Sequence, residues 1–157
     1  YLFVDEGGAC DLVRQALRAA LRYEEGWGPA TTLLERLTQA TGTASANDLL
    51  HLFYTATCPR DRIASYAPLV DQAASEGDGV AGHILDSAAQ QLADITFTVR
   101  KQLFAPGDTA LVAWSGGAFQ SSLLLDRFRA RVKAVPPLHS PAVGALIEAR
   151  RVLRSQS

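Results

Sequence analysis

An apolar stripe between residues 80 and 103 constrains the fold of this chain more than any other feature. Its members recur every three or four positions: Val80, Ile84, Ala88, Leu92, Ile95, Val99 and Leu103. That spacing places them on one face of an α-helix, because the helix repeats every 3.6 residues. Gly77-Asp78-Gly79 precedes the segment and Gly107 follows it. The pattern predicts a helix of about seven turns with one side against a core.

Shorter segments with helical spacing surround this stripe, at residues 10–24, 33–40, 47–54, 60–76, 121–131 and 141–152. Thr32 and Glu35 have the spacing of a capping box for the second of these helices, and Gly42 ends it. Asn47 is suited to cap the third. Pro68 predicts a kink or a fresh start inside segment 60–76.

Only two segments favour β-strands. Thr109 to Trp114 is short, apolar and bounded by glycines, which indicates a buried strand, and Val132 to Val135 is a second candidate. Two strands do not make a stable α/β sheet, so further strands are expected from polypeptide outside this sequence. The chain also contains no Met. We therefore expect residues 1–157 to form a single, helix-dominated α/β domain of a longer protein.

Composition excludes several classes of protein. Fifteen Lys and Arg residues balance sixteen Asp and Glu residues, so no overall field attracts nucleic acid or an anionic membrane. No apolar run approaches the ~18 residues of a membrane helix, and we expect no export leader. Cys10 and Cys58 are far apart and form no CxxC pair. Reduced thiols and a cytoplasmic location are expected.

Two glycine-containing segments are candidates for ligand binding. ALVAWSGGAFQSSLLLDRF, residues 110–128, predicts a strand, a Ser115-Gly116-Gly117 turn and a helix. Glycines let a ligand approach the backbone, and a helix start favours polar or anionic groups. The segment matches neither a P-loop nor GxGxxG, so a nucleotide loop and a structural turn both stay open. Asp5-Glu6-Gly7-Gly8 precedes the first helix; its carboxylates suit sugar hydroxyls, a cation or the helix dipole.

The other polar residues give weaker signals. His51, His83 and His139 have no second ligand at helical spacing, so surface or core histidines are favoured over a metal site. Ser115 does not lie in a G-x-S-x-G elbow, which argues against a hydrolase.

Four segments, taken in order, resemble one known family. DEGG with RQALRAALRYEEGWGPATTLLERL resembles the region after the sugar site in N-acetylglucosamine kinases, the BadF/BadG/BcrA/BcrD-type branch of the actin, sugar-kinase and Hsp70 ATPase superfamily. RIASYAPLVDQAASEGDGVAGHILDSAAQQLA resembles the family's helix pair. ALVAWSGGAFQSSLLLDRF resembles its adenosine motif, and VPPLHSPAVGALIEA its last strand and helix. The resemblance covers nearly all of the chain.

The resemblance implies a fold and a set of site residues. The fold is the C-terminal, nucleotide-binding lobe of an actin-like (ribonuclease H-like) ATPase that closes around ATP and a sugar. Gly116 and Gly117 would lie against the nucleotide, and Ala64 would lie near the adenine. Asp5 would bind sugar hydroxyls. Two positions depart from the family: Val4 replaces a glycine, and Gly8 replaces a small polar residue.

The implied activity is phosphoryl transfer from ATP, with Mg²⁺, to the 6-hydroxyl of N-acetylglucosamine or glucosamine. The family's phosphate loops and catalytic aspartate would lie upstream of residue 1, in the N-terminal lobe. No catalytic residue and no metal ligand are therefore expected in this chain, which should not catalyse by itself.

Two alternatives to the kinase stay open. One is an ATPase activator of a 2-hydroxyacyl-CoA dehydratase or benzoyl-CoA reductase, although Cys10 and Cys58 do not resemble the cysteine motifs of such activators. The other is a non-catalytic lobe that senses a sugar or serves assembly, for which the change at Val4 leaves room. The oligomeric state is open, with a homodimer as one arrangement.

Overall fold

The structure, a computed structural model, describes residues 5–55 and 58–155. It is 68% helical. The helices of the described part are α1 (Ala9–Glu24), α2 (Leu33–Thr41), α3 (Ala46–Phe53), α4 (Arg60–Ala64), α5 (Ala67–Ser75), α6 (Gly79–Leu103), α7 (Ser122–Arg131) and α8 (Pro141–Ser155). A 3-10 helix spans Gly117–Gln120, and two short strands are β1 (Val112–Ala113) and β2 (Ala134–Val135). The predicted helix-dominated α/β class is confirmed.

Each helix predicted from apolar spacing forms close to its expected position. The long stripe forms α6, which begins at Gly79 and has Asp78 as its N-cap. The segment with Pro68 forms two helices, because α4 ends at Ala64 and α5 begins at Ala67. Pro68 lies in the first turn of α5, where its missing N–H group would have no helical partner.

Two predicted helix caps are wrong. Thr32 has helical backbone angles and caps nothing with its side chain. Its N–H and hydroxyl groups instead donate to Oδ2 of Asp78, at 2.6 and 2.9 Å. At α3 the cap is Ser45 rather than Asn47, since Oγ of Ser45 accepts from the N–H of Asp48 at 3.1 Å. At the start of α2, the distant carboxylate of Asp78 thus takes the place of the predicted capping box.

The hydrophobic core is centred on α1, which packs against α2, α3, α4, α5 and α6. Leu12, Val13 and Ala16 on α1 are at most 1% exposed. Helix α6 packs against α5 and α7 in turn. Leu124 and Phe128 of α7 are buried there.

The strands form a parallel pair, with Val112 opposite Ala134 and Ala113 opposite Val135. Helix α7 is the crossover between them. The expectation of a buried strand over residues 109–114 is wrong: only Val112 and Ala113 are in the strand, and Leu111 is 84% exposed. Among the described residues each strand has a single neighbour, which leaves the rest of this apolar segment uncovered.

Candidate functional site

The Ser115-Gly116-Gly117 turn lies at the carboxyl end of β1, the side on which parallel sheets bind ligands. Gly116 has φ 116° and ψ 165°, a conformation that is essentially restricted to glycine. A Cβ atom built on Gly116 or on Gly117 would have no heavy atom within 4 Å. The outer face of this turn is therefore open, and a flat ligand can reach the backbone.

The glycine turn is anchored through Ser121, whose hydroxyl group has partners on α7 and on α5. The Ser121 hydroxyl caps α7 by accepting from the N–H of Leu124 at 3.0 Å, and it donates to the carboxylate of Asp71 on α5. The ring of Phe119, in the 3-10 helix, lies 5.1 Å from that of Phe128. Sequence reasoning missed Asp71, because 50 residues separate it from Ser121.

Ala64 is the last residue of α4 and is partly buried against the core. Helix α5 begins three residues later and carries Asp71, the partner of Ser121. The two parts of the predicted adenosine site, Ala64 and the glycine turn, are therefore connected through α5. Ala64, Gly116 and Gly117 line neither of the two cavities described below.

Asp5 lies in the turn before α1, where two neighbours fix its side chain. Its Oδ2 atom is 2.9 Å from a guanidinium nitrogen of Arg60, the first residue of α4. A Cβ atom on Gly8 would lie 2.7 Å from Oδ1 of Asp5, so this carboxylate needs glycine at position 8. Glycine at position 8, where the resembled family has a small polar residue, thus leaves room for the Asp5 carboxylate. Val4 lies outside the described residues.

A polar cavity of about 300 Å³ opens beside Asp5. Asp5 and Glu6 line it from the turn, Gln91 lines it from α6, and α1 contributes Asp11, Arg14, Gln15 and Arg18. The Asp11 carboxylate is buried and accepts from the N–H of Gly7 at 3.3 Å and from Nε2 of Gln15 at 2.7 Å.

Gln91 is the unusual member of this cavity. Its Oε1 atom is buried and accepts no hydrogen bond from the described residues. Buried acceptors in native proteins almost always have a donor. The i, i+3, i+7 spacing of Asp11, Arg14 and Arg18 was a visible signal for one side of the cavity, but the position of Gln91 was not visible in the sequence.

A larger open cleft of about 740 Å³ lies between α2 and the start of α6, around Asp78. Oδ1 of Asp78 caps α6, accepting from the N–H groups of Val80 and Ala81 at 2.9 and 3.0 Å. Burial raises the pKa of Asp78, but hydrogen bonds from the Ala81 and Thr32 N–H groups and the Thr31 and Thr32 hydroxyls outweigh it and lower the pKa. The cluster joins two helices, and its donors are all satisfied within the protein.

The remaining candidates for chemistry do not assemble into a site. His51, His83 and His139 are exposed. Cys10 and Cys58 are free and lie in the core, where burial raises the pKa of the Cys58 thiol. Within residues 5–55 and 58–155 no group of three or more His, Cys, Asp or Glu side chains is placed to hold a metal ion. In the same residues no helix is both long and apolar enough to span a bilayer.

Comparison with known proteins gives matches along nearly the whole chain. The family model of the BadF/BadG/BcrA/BcrD ATPase family matches residues 2–149. The N-acetylmuramic acid/N-acetylglucosamine kinase of Clostridium acetobutylicum is 28% identical over 158 residues, which cover 96% of this chain and 52% of that protein.

A solved structure agrees with the family match. A crystal structure from Chromobacterium violaceum, described as that of a "Putative N-acetylglucosamine Kinase", superposes with a TM-score of 0.69 at 26% identity. The match covers 91% of this chain and 47% of that one. The chain therefore spans about half the length of the relatives it matches.

Proposed function

The chain belongs to the BadF/BadG/BcrA/BcrD ATPase family and has a fold of the actin-like ATPase type, and from this we propose that it is the C-terminal, nucleotide-binding lobe of an ATP-dependent amino-sugar kinase. The reaction is transfer of the γ-phosphoryl group to the 6-hydroxyl of N-acetylglucosamine or glucosamine. The observation that carries the proposal is the similarity to kinases of this class over more than nine-tenths of the chain.

ATP binding is assigned to the turn after β1, with Ala64 as a second contact. The open faces of Gly116 and Gly117 support this, since a side chain at either position would fill the space that adenosine needs. Within the described residues no group of three or more His, Cys, Asp or Glu side chains is placed to hold a metal ion, and Mg²⁺ commonly takes most of its ligands from water and substrate phosphates. In this proposal the metal is held by the triphosphate and by the N-terminal lobe, which also supplies the catalytic aspartate.

The sugar is assigned to Asp5. A carboxylate can accept hydrogen bonds from two neighbouring hydroxyl groups, and Arg60 pairs with one oxygen of this carboxylate. Such positioning matters because phosphoryl transfer depends on the alignment of the attacking oxygen with the phosphate. We also propose a cytoplasmic location and a homodimer. Light scattering of the intact protein measures its oligomeric state.

The first test is calorimetric titration of the intact protein with ATP and with N-acetylglucosamine, followed by phosphorus NMR of the product. We expect heat with both ligands and a phosphate ester on the 6-oxygen. An intact protein that gives no heat with either ligand and no phosphorylated sugar contradicts the proposal. A phosphate ester on a different oxygen contradicts the assigned position alone.

A second test uses Gly117→Arg. We expect ATP affinity to fall at least about tenfold, which corresponds to ~1.4 kcal/mol, while the free energy of unfolding stays the same, because the new Cβ atom contacts nothing. Gly79→Arg is the matched control: it also has an open Cβ position, but it lies at the start of α6. Unchanged ATP affinity in Gly117→Arg would favour a non-catalytic lobe.

A further inference from the structure

The residue assigned to the sugar and the turn assigned to ATP are both connected to one pair of helices. Asp5 is paired with Arg60, the first residue of α4. Asp71 on α5 accepts a hydrogen bond from the hydroxyl of Ser121, which follows the glycine turn and caps α7. Helices α4 and α5 therefore have one polar contact with each of the two proposed binding sites.

Helices α4 and α5 form a single packed unit. Only Ser65 and Tyr66 separate them, and both have helical backbone angles. Ile63 of α4 and Val70 of α5 are buried in the same hydrophobic core. The ring of Tyr66 is stacked on that of Phe53, with 6.1 Å between their centroids. Packed helices of this kind can carry a change at one contact to the other.

The two polar contacts differ in strength. The side chains of Arg60 and Asp5 are 45% and 34% exposed, and exposed ion pairs contribute little because solvent screens them. The bond from Ser121 to Asp71 is partly buried and has a charged acceptor, so it is the stronger of the two. A ligand shifts an equilibrium only by its differential affinity, and the exposed pair therefore limits the effect to about threefold in affinity.

We propose that Arg60 and Asp71 are positioning residues that couple sugar binding to ATP binding. A sugar bound at Asp5 fixes the carboxylate that Arg60 contacts, and this restrains α4 and α5. Asp71 then holds Ser121, and the glycine turn before it, in the arrangement that binds ATP. Because such coupling is reciprocal, ATP raises the affinity for the sugar by the same factor. The inference rests on the proposed kinase function and adds a route between its two ligands.

Calorimetry of the intact protein with a non-hydrolysable ATP analogue measures the coupling, as the ratio of its affinities with and without saturating N-acetylglucosamine. We expect a ratio above one in the wild-type protein and a ratio about threefold lower in Arg60→Ala. A merely structural role would lower stability or sugar affinity but leave the ratio unchanged, because the sugar is saturating. Arg131→Ala is the matched control: it removes an ion pair, 2.7 Å from Asp86, that joins α6 to the far end of α7.

Variants of Asp71 test the other contact of the pair of helices. Asp71→Ala should lower the ratio about as much as Arg60→Ala does. The double variant should lower it no further, because both substitutions interrupt the same route. Asp71→Asn keeps an oxygen that accepts from the Ser121 hydroxyl, so it should keep most of the coupling.

Three results would overturn this inference: a wild-type ratio of one, an unchanged ratio in either alanine variant, or a double variant in which the two losses combine independently. Each of them leaves the kinase function intact, since both ligands still bind. A wild-type protein that does not bind both ligands contradicts the proposed function itself.

Discussion

The two halves of α6 have the same apolar spacing but different surroundings. In the first half, Ile84 is 5% exposed and Leu85 is fully buried. In the second half, Val99 is 45% exposed and Leu103 70%. All the buried residues of α6 occur between Ala81 and Ala93, where α1, α5 and α7 are its neighbours. Apolar periodicity thus specifies a helix and its inward face, but burial depends on what the rest of the chain brings to that face.

The same contrast runs through the whole molecule. Helices α1 and α2 bury most of their apolar residues, with Leu33 and Leu37 of α2 at 0% exposure. By contrast, every residue of α8 from 141 to 154 is exposed, Leu146 at 71% among them. The packed region should respond strongly to mutation, and the open region weakly.

The largest expected effect is at Leu85. Leu85→Ala should lower the free energy of unfolding by about 3 kcal/mol, because it leaves a cavity in a closely packed core. Leu103→Ala, on the same helix, should change it by less than about 0.5 kcal/mol, since the side chain is already solvated. Urea denaturation of both variants measures the difference. Equal losses would mean that the second half of α6 is packed in solution.

A smaller loss is expected at Gly7, where the turn before α1 crosses α6. Gly7 has φ 74°, and a Cβ atom there would lie 2.7 Å from Cγ of Leu92 and 2.9 Å from the carbonyl oxygen of Ala88. Gly7→Ala should therefore destabilise the protein by about 2 kcal/mol. Gly26→Ala has a similar φ of 80° but no contact within 4 Å, and it should cost about 1 kcal/mol. If both cost the same, the close crossing contributes nothing.

Asp78 should make the stability of the packed region depend on pH. Asp78→Asn should cost about 1.5 kcal/mol near neutral pH, because the charged acceptor of several hydrogen bonds is lost. The folded pKa lies below the ordinary value of 3.8, so this stabilisation is fully present above 3.8 and disappears as the pH falls through the folded pKa. Urea denaturation at decreasing pH should show the wild-type and variant stabilities converging below 3.8. A constant difference would show that the charge is irrelevant.

Ser121 anchors the end of the glycine turn to α7 and α5. Ser121→Ala removes the cap of α7 and the bond to Asp71, and it should lower the free energy of unfolding by about 1 kcal/mol. We also expect weaker ATP binding by the intact protein, because the glycine turn loses its tie to α5. Ser122→Ala, at the next and exposed position, is the control. Thermal unfolding and calorimetry give the two values; unchanged ATP binding would show that the turn is positioned without Ser121.

Much of this arrangement was predictable from local patterns. Helix α6 followed from its stripe, the restart at α5 from Pro68, and the β1–turn–α7 unit from two apolar segments around Gly116 and Gly117. The partners of the site residues were not predictable in this way. Arg60 is 55 positions from Asp5 in the numbering, and Gln91 is farther still, so no local spacing connects them.

The sequence by itself determined the helices, their inward faces, the glycine-dependent turns and the family resemblance, because periodicity and backbone restrictions act over a few residues. Tertiary structure alone decided that Asp78 and not Glu35 serves the start of α2, that Arg60 orients Asp5, and that only half of the long stripe is covered. These outcomes depend on which segments meet in space. A hydrogen-bonding carboxylate or an apolar face is satisfied by whichever group the fold brings within reach, however distant in the chain.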